Sequence, residues 1–255
     1  MRFNRINLPG MLVICLLALS SCTTTHHGIK PSQPLPHTAP PIEPVRGALT
    51  HSVAPGETLW RIAKMYDVDV ETIKKSNNIK DVTDLEIGTR LYIPGATPRK
   101  RIVTLYPSKK WKYIIVHHSA SDRGSATEFN KAHINRGWSG VGYHFVIDNG
   151  TCGKDDGQIE STPRWTKQLD GAHCKAGGMN YNGIGICLVG NFSEPTGTVT
   201  SRQMNSLVFL VNALSNYYNI PTSHIMGHGQ VPGAKTECPG TKFPWAEFWS
   251  KAKLK

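Results

Sequence analysis

A histidine and a cysteine stand ten positions apart in the segment GHGQVPGAKTECPG, which spans residues 227–240. Prolines and glycines in this segment disfavour a continuous helix, so the chain can fold back and bring His228 and Cys238 to one point. Neutral imidazole nitrogen and thiolate sulfur are ligands that zinc prefers, and a catalytic zinc takes three protein ligands and keeps one position open. The segment therefore predicts two of the three ligands of a zinc site.

The third ligand is expected at the end of the apolar run YIIVHHSA, residues 113–120. The run is typical of a buried strand, and in open α/β sheets ligands collect at the carboxyl ends of strands. His117 occupies that position and is the third candidate. The spacing alone leaves open the alternative that these residues are surface or packed residues that bind no metal. The chain has eleven histidines, and an isolated cysteine commonly serves as a small buried hydrophobic residue.

Composition limits the partners that this chain can have. Its 29 lysines and arginines against 18 acidic residues give a formal net charge of +11. Such a basic surface favours polyanions, namely nucleic acid, an anionic membrane or an anionic cell-wall polymer. The sequence contains no recognisable DNA- or RNA-binding motif, so we expect no nucleic-acid partner. A length of 255 residues suffices for one large domain or two smaller ones.

The N-terminus has the features of an export signal. Residues 1–21 begin with a basic segment, and the apolar run Met11–Leu19 is too short to span a bilayer but typical of a secretory signal. The letters SSC that follow resemble a bacterial lipobox, which implies cleavage before Cys22 and acylation of its thiol. The alternatives are an uncleaved anchor or an ordinary signal with a chance cysteine. We expect a membrane-anchored lipoprotein facing the cell wall, and Thr23 after the cysteine implies the outer membrane if the cell has two.

Composition also divides the rest of the chain. Residues 22–49 hold six prolines and few large apolar residues, a composition typical of an extended spacer. Residues 50–95 predict a small module, and residues 96–110 predict a basic linker. Residues 111–255 have the length of one α/β domain.

The small module has a β-α-α-β pattern. A turn at Pro55-Gly56 precedes a first helix that Thr58 can cap. A second helix is expected over Glu71–Ser76, and a closing strand over 91–93. This order, with the segments GETLWRIA, MYDV, NN and IGTRLYIP, resembles a LysM module. The resemblance implies binding of the N-acetylglucosamine-containing glycan of peptidoglycan or chitin.

The same resemblance implies a groove between the first helix with its preceding loop and the second helix with its following loop. The alternative is that the residues around it only cap and pack the module, as we expect for Leu59. The other residues expected near the groove are Gly56, Glu57, Thr58, Asn78 and Ile79.

The larger domain predicts an α/β fold with a central mixed β-sheet flanked by helices. The run Ile184–Val189 is apolar on both faces, so we expect it in the middle of the sheet. The expected strands cover 113–117, 143–147 and 184–190, and the expected helices cover 126–135 and 201–218.

Four motifs in this domain occur in the order seen in zinc-dependent N-acetylmuramoyl-L-alanine amidases. They are IIVHHSAS, GVGYHFVIDNGT, GAHCKAGGMNYNGIGICLVGNF and MGHGQVPGAKTECPGTKF. That superfamily includes amidase-type phage lysozymes and peptidoglycan recognition proteins, and the resemblance covers essentially all of 111–250. It implies a Zn²⁺ cofactor held by His117, His228 and Cys238. It also implies hydrolysis of the amide that joins the lactyl group of N-acetylmuramic acid to L-alanine of the stem peptide.

Zinc suits this reaction because it lowers the pKa of a bound water and polarises the carbonyl. The resemblance assigns Tyr143 to orienting the water or assisting proton transfer, with a core aromatic as the alternative. Thr236 stands where many amidases have lysine, and it matches the threonine of catalytic peptidoglycan recognition proteins. Either Thr236 or its neighbour Lys235 could stabilise the developing oxyanion, and the sequence leaves that choice open.

Other residues of this domain receive roles from their position. His173 and Asn182 lie in a segment with which the family lines its substrate groove, so we expect both to contact substrate. His118 faces away from His117 on a strand and is expected to pack, and His144 is expected to be structural.

Cysteines outside the cytoplasm can form disulfides. Cys187 lies within the predicted buried strand and is expected to be a free core thiol. Cys152 and Cys174 remain a possible pair.

Two function classes follow from these motifs. The first is a monomeric, lipid-anchored peptidoglycan amidase whose LysM module holds the glycan. The second is a non-catalytic peptidoglycan-recognition protein. Relatives that only bind commonly lack the cysteine ligand, so the presence of Cys238 favours the enzyme.

Overall fold

The computed structural model describes residues 46–83, 85–97 and 101–254. The expected export signal, Cys22 and nearly all of the proline-rich spacer therefore lie outside the described residues. Within the described segments, no helix is both long and apolar enough to cross a lipid bilayer.

The small module has the β-α-α-β order that the sequence predicts. Thr58 caps the first helix, because its side-chain oxygen accepts a hydrogen bond of 3.3 Å from the backbone N–H of Arg61. Apolar side chains from both helices and the closing strand, including Ile62, Ile73 and Ile93, are fully buried. The elements are β1 (Gly47–Ser52), α1 (Leu59–Tyr66), α2 (Val70–Ser76) and β2 (Arg90–Ala96), with β1 and β2 antiparallel.

The larger domain alternates strands with helices. Its strands are β3 (Tyr113–His118), β4 (Phe145–Asn149), β5 (Asp156–Ser161), β6 (Gly183–Leu188) and β7 (Ile225–Gly227). Its α-helices are α3 (Ala126–Ile134), α4 (Pro163–Thr166), α5 (Met179–Asn182), α6 (Ser201–Tyr218) and α7 (Trp245–Lys251). Short 3-10 turns cover Ala176–Gly178, Thr222–His224 and His228–Gln230.

The five strands form one mixed sheet, which confirms the predicted fold class. Their order is β5-β4-β6-β3-β7. β3 runs parallel to β6 and β7, and β4 runs parallel to β6, whereas β5 pairs antiparallel with β4 at one edge. Strand β6 lies in the middle of the sheet, and all of its residues are buried, as its apolar run predicts.

Helix α6 covers one face of this sheet and builds the main core. Leu207, Leu210 and Leu214 follow one another at helical spacing and are fully buried in a cluster with strand residues such as Val116 and Ile186. Burial of each leucine stabilises the fold by about 1.5–3 kcal/mol. The helix predicted over 201–218 has those bounds, whereas the predicted strand over 143–147 runs from 145 to 149. Shifts of this size are common at element ends.

The small module packs directly against the larger domain. Lys154, which is 5% exposed, places its Nζ 2.7 Å from the carbonyl oxygen of Ser52 and 2.9 Å from Oε2 of Glu160. A second contact joins α1 to β5, because Arg61 Nη2 donates a hydrogen bond of 2.8 Å to the hydroxyl of Ser161. The two parts of the chain therefore share polar contacts, and the buried Lys154–Glu160 ion pair of the larger domain lies beside one of them.

Candidate metal centre

Two neighbouring parallel strands deliver the two histidines of the site to the same edge of the sheet. Val116 in β3 pairs with Gly227, the last residue of β7, and the next residue along the chain is a histidine in both cases. The rings of His117 and His228 consequently lie with their centroids 4.7 Å apart. Because the carboxyl ends of parallel strands meet at one edge, strand register alone brings these residues together.

The loop after β7 returns Cys238 to this edge. Its fold is closed by backbone hydrogen bonds, since the N–H of Gly229 donates to the carbonyl oxygen of Cys238 at 2.7 Å. The side-chain oxygen of Thr236 accepts a hydrogen bond from the Cys238 N–H at 3.2 Å. As a result, the ligand atoms of His117, His228 and Cys238 all lie within 4.8 Å of one another. The structure thus brings together the three residues that the motifs single out.

The chemistry of these three side chains fits a zinc ion. Burial raises the pKa of the Cys238 thiol to about 12, while a hydrogen bond from the backbone N–H of His118 to the sulfur opposes that rise. Burial also lowers the pKa values of His117 and His228, which keeps both imidazoles neutral. Two neutral nitrogens and a sulfur that already accepts an N–H form the donor set of a borderline-soft cation. A bound cation would lower the pKa of the Cys238 thiol and favour the thiolate.

Tyr143 lies beside this group, just before β4. Its ring centroid is 5.3 Å from that of His117. Burial raises the pKa of the phenol well above its usual value, and the nearby thiols of Cys187 and Cys238 raise it further. The phenol therefore keeps its proton at neutral pH and acts as a hydrogen-bond donor.

Thr236 and Lys235 are both exposed on the loop that carries Cys238. The Thr236 oxygen accepts the Cys238 N–H, so its own hydroxyl hydrogen can be donated elsewhere. The position of both side chains on the ligand-bearing loop is compatible with either as an oxyanion donor, and the choice between them stays open.

His173 does not lie free on a groove. It is 8% exposed, its Nδ1 is 3.0 Å from Nε2 of His117, and its Nε2 is 3.2 Å from the carbonyl oxygen of Gly183. Burial lowers its pKa to about 3. Both ring nitrogens thus lie within hydrogen-bonding distance of protein atoms, and substrate contact by His173 remains a prediction.

Asn182 lies away from the predicted ligands. It ends α5 directly before Gly183, which pairs with Tyr113 at the start of β3, whereas His117 pairs with Cys187 further along the same strands. The backbone oxygen of Asn182 accepts a hydrogen bond from the Lys112 N–H. Substrate contact by Asn182 remains a prediction that this position does not support.

The residues expected to line the LysM groove divide into two groups. Thr58 and Asn78 are exposed, and Ile79 is half-buried. Glu57 instead points inward, where its carboxylate accepts a hydrogen bond of 2.8 Å from the Ala54 N–H and lies 2.7 Å from Nε2 of His51. Burial acts to raise the Glu57 pKa, but the hydrogen bond and charge of His51, with Lys154 and the Ala54 N–H, outweigh it and lower that pKa to about 2.

Gly56 faces the larger domain. An added Cβ there would lie 3.2 Å from backbone atoms of Thr162 and Pro163. The structure thus leaves Thr58, Asn78 and Ile79 accessible for glycan contact, and it uses Glu57 and Gly56 in packing.

His118 and His144 form hydrogen bonds within the larger domain. His118 points to the opposite face of β3, as strand alternation predicts, and its Nδ1 accepts a hydrogen bond from the Phe192 N–H. His144 is buried in the domain, and its Nδ1 accepts a hydrogen bond from the Gly185 N–H. All four described cysteines are free: Cys152, Cys174, Cys187 and Cys238. The possible Cys152–Cys174 disulfide is therefore not formed, and Cys187 is a buried thiol as expected.

The sequence reading missed the residues that hold His173. Asn180 accepts hydrogen bonds from the backbone N–H groups of His173 and Cys174, both at 2.8 Å. Gly171 and Gly185 leave the space that the His173 ring fills. A glycine inside a buried strand, as at Gly185, is a signal of a close approach by another group, and this signal could have revealed the contact.

Comparison with known proteins assigns a family to each of the two parts of the chain. A family model described as N-acetylmuramoyl-L-alanine amidase matches residues 107–241, and a LysM domain model matches residues 51–94. The endolysin of Enterobacteria phage T3 is 33% identical over 159 residues, covering 60% of this chain and 94% of that protein. The endolysin of Escherichia phage T7 is 34% identical over 148 residues, covering 55% and 87%.

A solved structure is also similar. The N-acetylmuramoyl-L-alanine amidase LysC from Clostridium intestinale URNW is 34% identical and covers 61% of this chain and 96% of its own, with a TM-score of 0.46. Because the amidase family model matches more than half of this chain, the protein belongs to the N-acetylmuramoyl-L-alanine amidase family and is a peptidoglycan amidase that carries a LysM module.

Proposed function

We propose that this protein is a zinc-dependent hydrolase that cleaves the amide between N-acetylmuramic acid and L-alanine of the peptidoglycan stem peptide. The observation that carries the zinc dependence is the convergence of His117, His228 and Cys238, whose ligand atoms lie within 4.8 Å of one another. When bound, zinc lowers the pKa of a water molecule and polarises the substrate carbonyl.

The surrounding residues supply the other requirements of amide hydrolysis. The protonated phenol of Tyr143 can donate a hydrogen bond at the reacting centre or assist proton transfer. Thr236 and Lys235 are the candidate donors to the oxyanion that develops on the carbonyl oxygen. The position of Tyr143 beside His117 and that of Thr236 on the loop of Cys238 support these proposed roles.

The LysM module is proposed to hold the enzyme on its substrate. Thr58, Asn78 and Ile79 are accessible for contact with the glycan strand, while the predicted metal centre of the larger domain acts on the stem peptide. Acylation of Cys22 would add a membrane anchor and place the protein at the cell envelope, in the outer membrane if the cell has two. We propose a monomer with no nucleic-acid partner.

The second candidate is a non-catalytic peptidoglycan-recognition protein. The intact set of two histidines and a cysteine at one edge of the sheet argues against it, because a domain that only binds has no need for a catalytic metal site. The enzyme is therefore the function that the geometry supports best.

Mass spectrometry of peptidoglycan fragments tests the proposal. Residues 23–255 are incubated with purified fragments, with and without a zinc chelator. Free stem peptides that begin at L-alanine are expected only without chelator. Replacement Cys238→Ala should abolish release and zinc binding while glycan binding persists, and Cys152→Ala, which changes a free thiol outside the predicted ligand set, should leave both unchanged.

Unchanged fragments that still bind the wild-type protein would favour the recognition protein. Release of stem peptides that continues in the chelator, from protein shown to contain no metal, would overturn the zinc dependence.

A further inference from the structure

A chain of three hydrogen-bonding groups runs behind the predicted metal ligand His117. Its first member is the carbonyl oxygen of Gly183, which lies 3.2 Å from Nε2 of His173. Nδ1 of His173 then lies 3.0 Å from Nε2 of His117. The opposite nitrogen of His117, Nδ1, faces Cys238 and lies 3.6 Å from its sulfur.

The direction of each hydrogen bond follows from the first one. A carbonyl oxygen can only accept, so Nε2 of His173 carries the hydrogen and donates it to Gly183. In a neutral imidazole the other nitrogen is then an acceptor, so Nδ1 of His173 accepts from Nε2–H of His117. Nδ1 of His117 is left without a hydrogen, and its lone pair points toward Cys238.

The position of the His173 ring is imposed by its surroundings. A Cβ added at Gly185 would approach three atoms of this ring to 2.5–2.8 Å, and a Cβ at Gly171 would also clash with the ring. Asn180 holds the backbone at His173 through the N–H groups of residues 173 and 174. The ring is therefore confined between two glycines and cannot turn away from His117 without moving β6 or the preceding loop.

We propose that His173 is a positioning residue that fixes the tautomer and orientation of His117, so that Nδ1 of His117 is presented to the metal. This inference rests on the proposed zinc dependence and assigns His173 a role other than substrate contact. Partners of this kind on the far nitrogen of a metal-binding histidine orient the ring and raise its basicity, and their loss costs about 10–100-fold in metal affinity.

Two substitutions of His173 separate its effect on the orientation of His117 from the effect of filling space in the core. His173→Asn keeps an acceptor oxygen close to the place of Nδ1, whereas His173→Leu removes both polar atoms and keeps an apolar side chain. Zinc affinity is measured by competition with a chromophoric chelator. We expect a loss of about 10–100-fold for His173→Leu and a clearly smaller loss for His173→Asn.

Controls separate this effect from instability. His224→Leu removes a histidine whose Nδ1 lies near the Lys112 carbonyl, away from the predicted ligands, and should leave zinc affinity unchanged. Gly185→Ala, which displaces the His173 ring, should lower zinc affinity in the same direction as His173→Leu. Thermal unfolding midpoints are recorded for every variant, so that affinity is compared among folded proteins.

Nuclear magnetic resonance of the metal-free wild type tests the tautomer independently of zinc. A two-bond ¹H–¹⁵N correlation spectrum should show His117 protonated at Nε2 and unprotonated at Nδ1. The Nε2 proton should be protected from solvent exchange in the wild type and in His173→Asn, and it should lose that protection in His173→Leu.

The outcomes distinguish this inference from the proposed function. A wild-type protein that binds no zinc would end the zinc proposal, while the resonance experiment would still decide the tautomer of His117. A proton on Nδ1 of metal-free His117, or equal zinc affinity in His173→Leu and the wild type, would overturn the positioning role.

Discussion

At the scale of single residues, burial sets the protonation state of the groups around the predicted metal site. Burial raises the pKa values of the Cys238 thiol and the Tyr143 phenol, and it lowers that of His117. All three groups are therefore neutral at pH 7 in the absence of a cation. A bound cation offsets a thiolate charge directly, whereas the phenol keeps its proton and remains a donor.

Replacement of Tyr143 by phenylalanine tests the donor role. We expect Tyr143→Phe to lower kcat by about 10²–10⁴-fold, because the hydroxyl that donates the hydrogen bond or proton is lost. Zinc content and the unfolding midpoint should change little, since the ring still packs. Steady-state release of stem peptides is the measurement, with Tyr217→Phe at an exposed tyrosine as the matched control. A kcat within twofold of the wild type would assign Tyr143 to packing alone.

The buried carboxylate of Glu57 predicts a stability change in acid. Its pKa is about 2 in the folded protein against an ordinary value of 4.5, so the unfolded chain binds more protons between these values. The stabilisation is present above pH 4.5 and is lost as the pH falls toward 2, at about 1.4 kcal/mol for each unit of pKa difference. Glu57→Gln should be less stable at pH 7.

Urea unfolding at pH 7, 4.5 and 3 measures this effect. Between pH 4.5 and 3, the free energy of unfolding of Glu57→Gln should fall less steeply than that of the wild type. Exposed Glu71, which forms an ion pair on α2, provides the control variant Glu71→Gln. Parallel pH profiles for the wild type and Glu57→Gln would contradict the assignment.

At the scale of elements, the site is a product of two parallel strands and one folded loop. β3 and β7 present His117 and His228 side by side, and the loop that follows β7 turns back through its hydrogen bond between Gly229 and Cys238. The loop has no regular secondary structure at Cys238, so its shape depends on close backbone contacts. Gly229 is one of the glycines at which such a contact is too close for a side chain.

A side chain at Gly229 should distort the loop. An added Cβ would clash with the carbonyl oxygen of Thr236 and would lie 3.2 Å from that of Cys238. We expect Gly229→Ala to lower zinc affinity by at least tenfold, because Cys238 must shift away from the two histidines. Gly47→Ala, where no atom lies within 4 Å of the added Cβ, is the control. Unchanged zinc affinity in Gly229→Ala would show that the loop accommodates the methyl group.

At the scale of the whole molecule, a buried lysine of the amidase domain joins that domain to the LysM module. Lys154 pairs with Glu160 and also donates to the Ser52 carbonyl. The other carboxylate oxygen of Glu160 accepts a hydrogen bond of 2.6 Å from the Ala126 N–H at the start of α3. One buried pair thus links the LysM module, β5 and α3.

Removal of one partner should be costly because it leaves a buried charge. We expect Lys154→Met to lower the free energy of unfolding by about 3–5 kcal/mol. The double variant Lys154→Met with Glu160→Gln should recover part of that loss, since no unpaired charge remains. Denaturant unfolding measures both, and the exposed pair partner Lys251 provides the control Lys251→Met. Equal stability of Lys154→Met and the wild type would contradict a structural role for the pair.

The sequence by itself determined the features that depend on local pattern. Helical spacing of leucines predicts α6 with its observed bounds, the capping residue Thr58 predicts the start of α1, and the apolar run at 184–189 predicts a central strand. The spacing of His228 and Cys238 with intervening glycines and prolines predicts a folded loop. These signals are readable because periodicity, caps and turn residues act over a few positions.

The tertiary structure decided which distant side chains meet. The alternation of β3 predicts that His117 and His118 face opposite sides, but only the packing of residues 171–185 against β3 places His173 behind His117. Docking of the module likewise decides that Gly56 lies against the larger domain, and the fold of the module itself turns Glu57 inward toward His51 and the Ala54 N–H. Such contacts depend on strand order, register and domain packing, which join positions far apart in the chain and leave little local trace in the sequence.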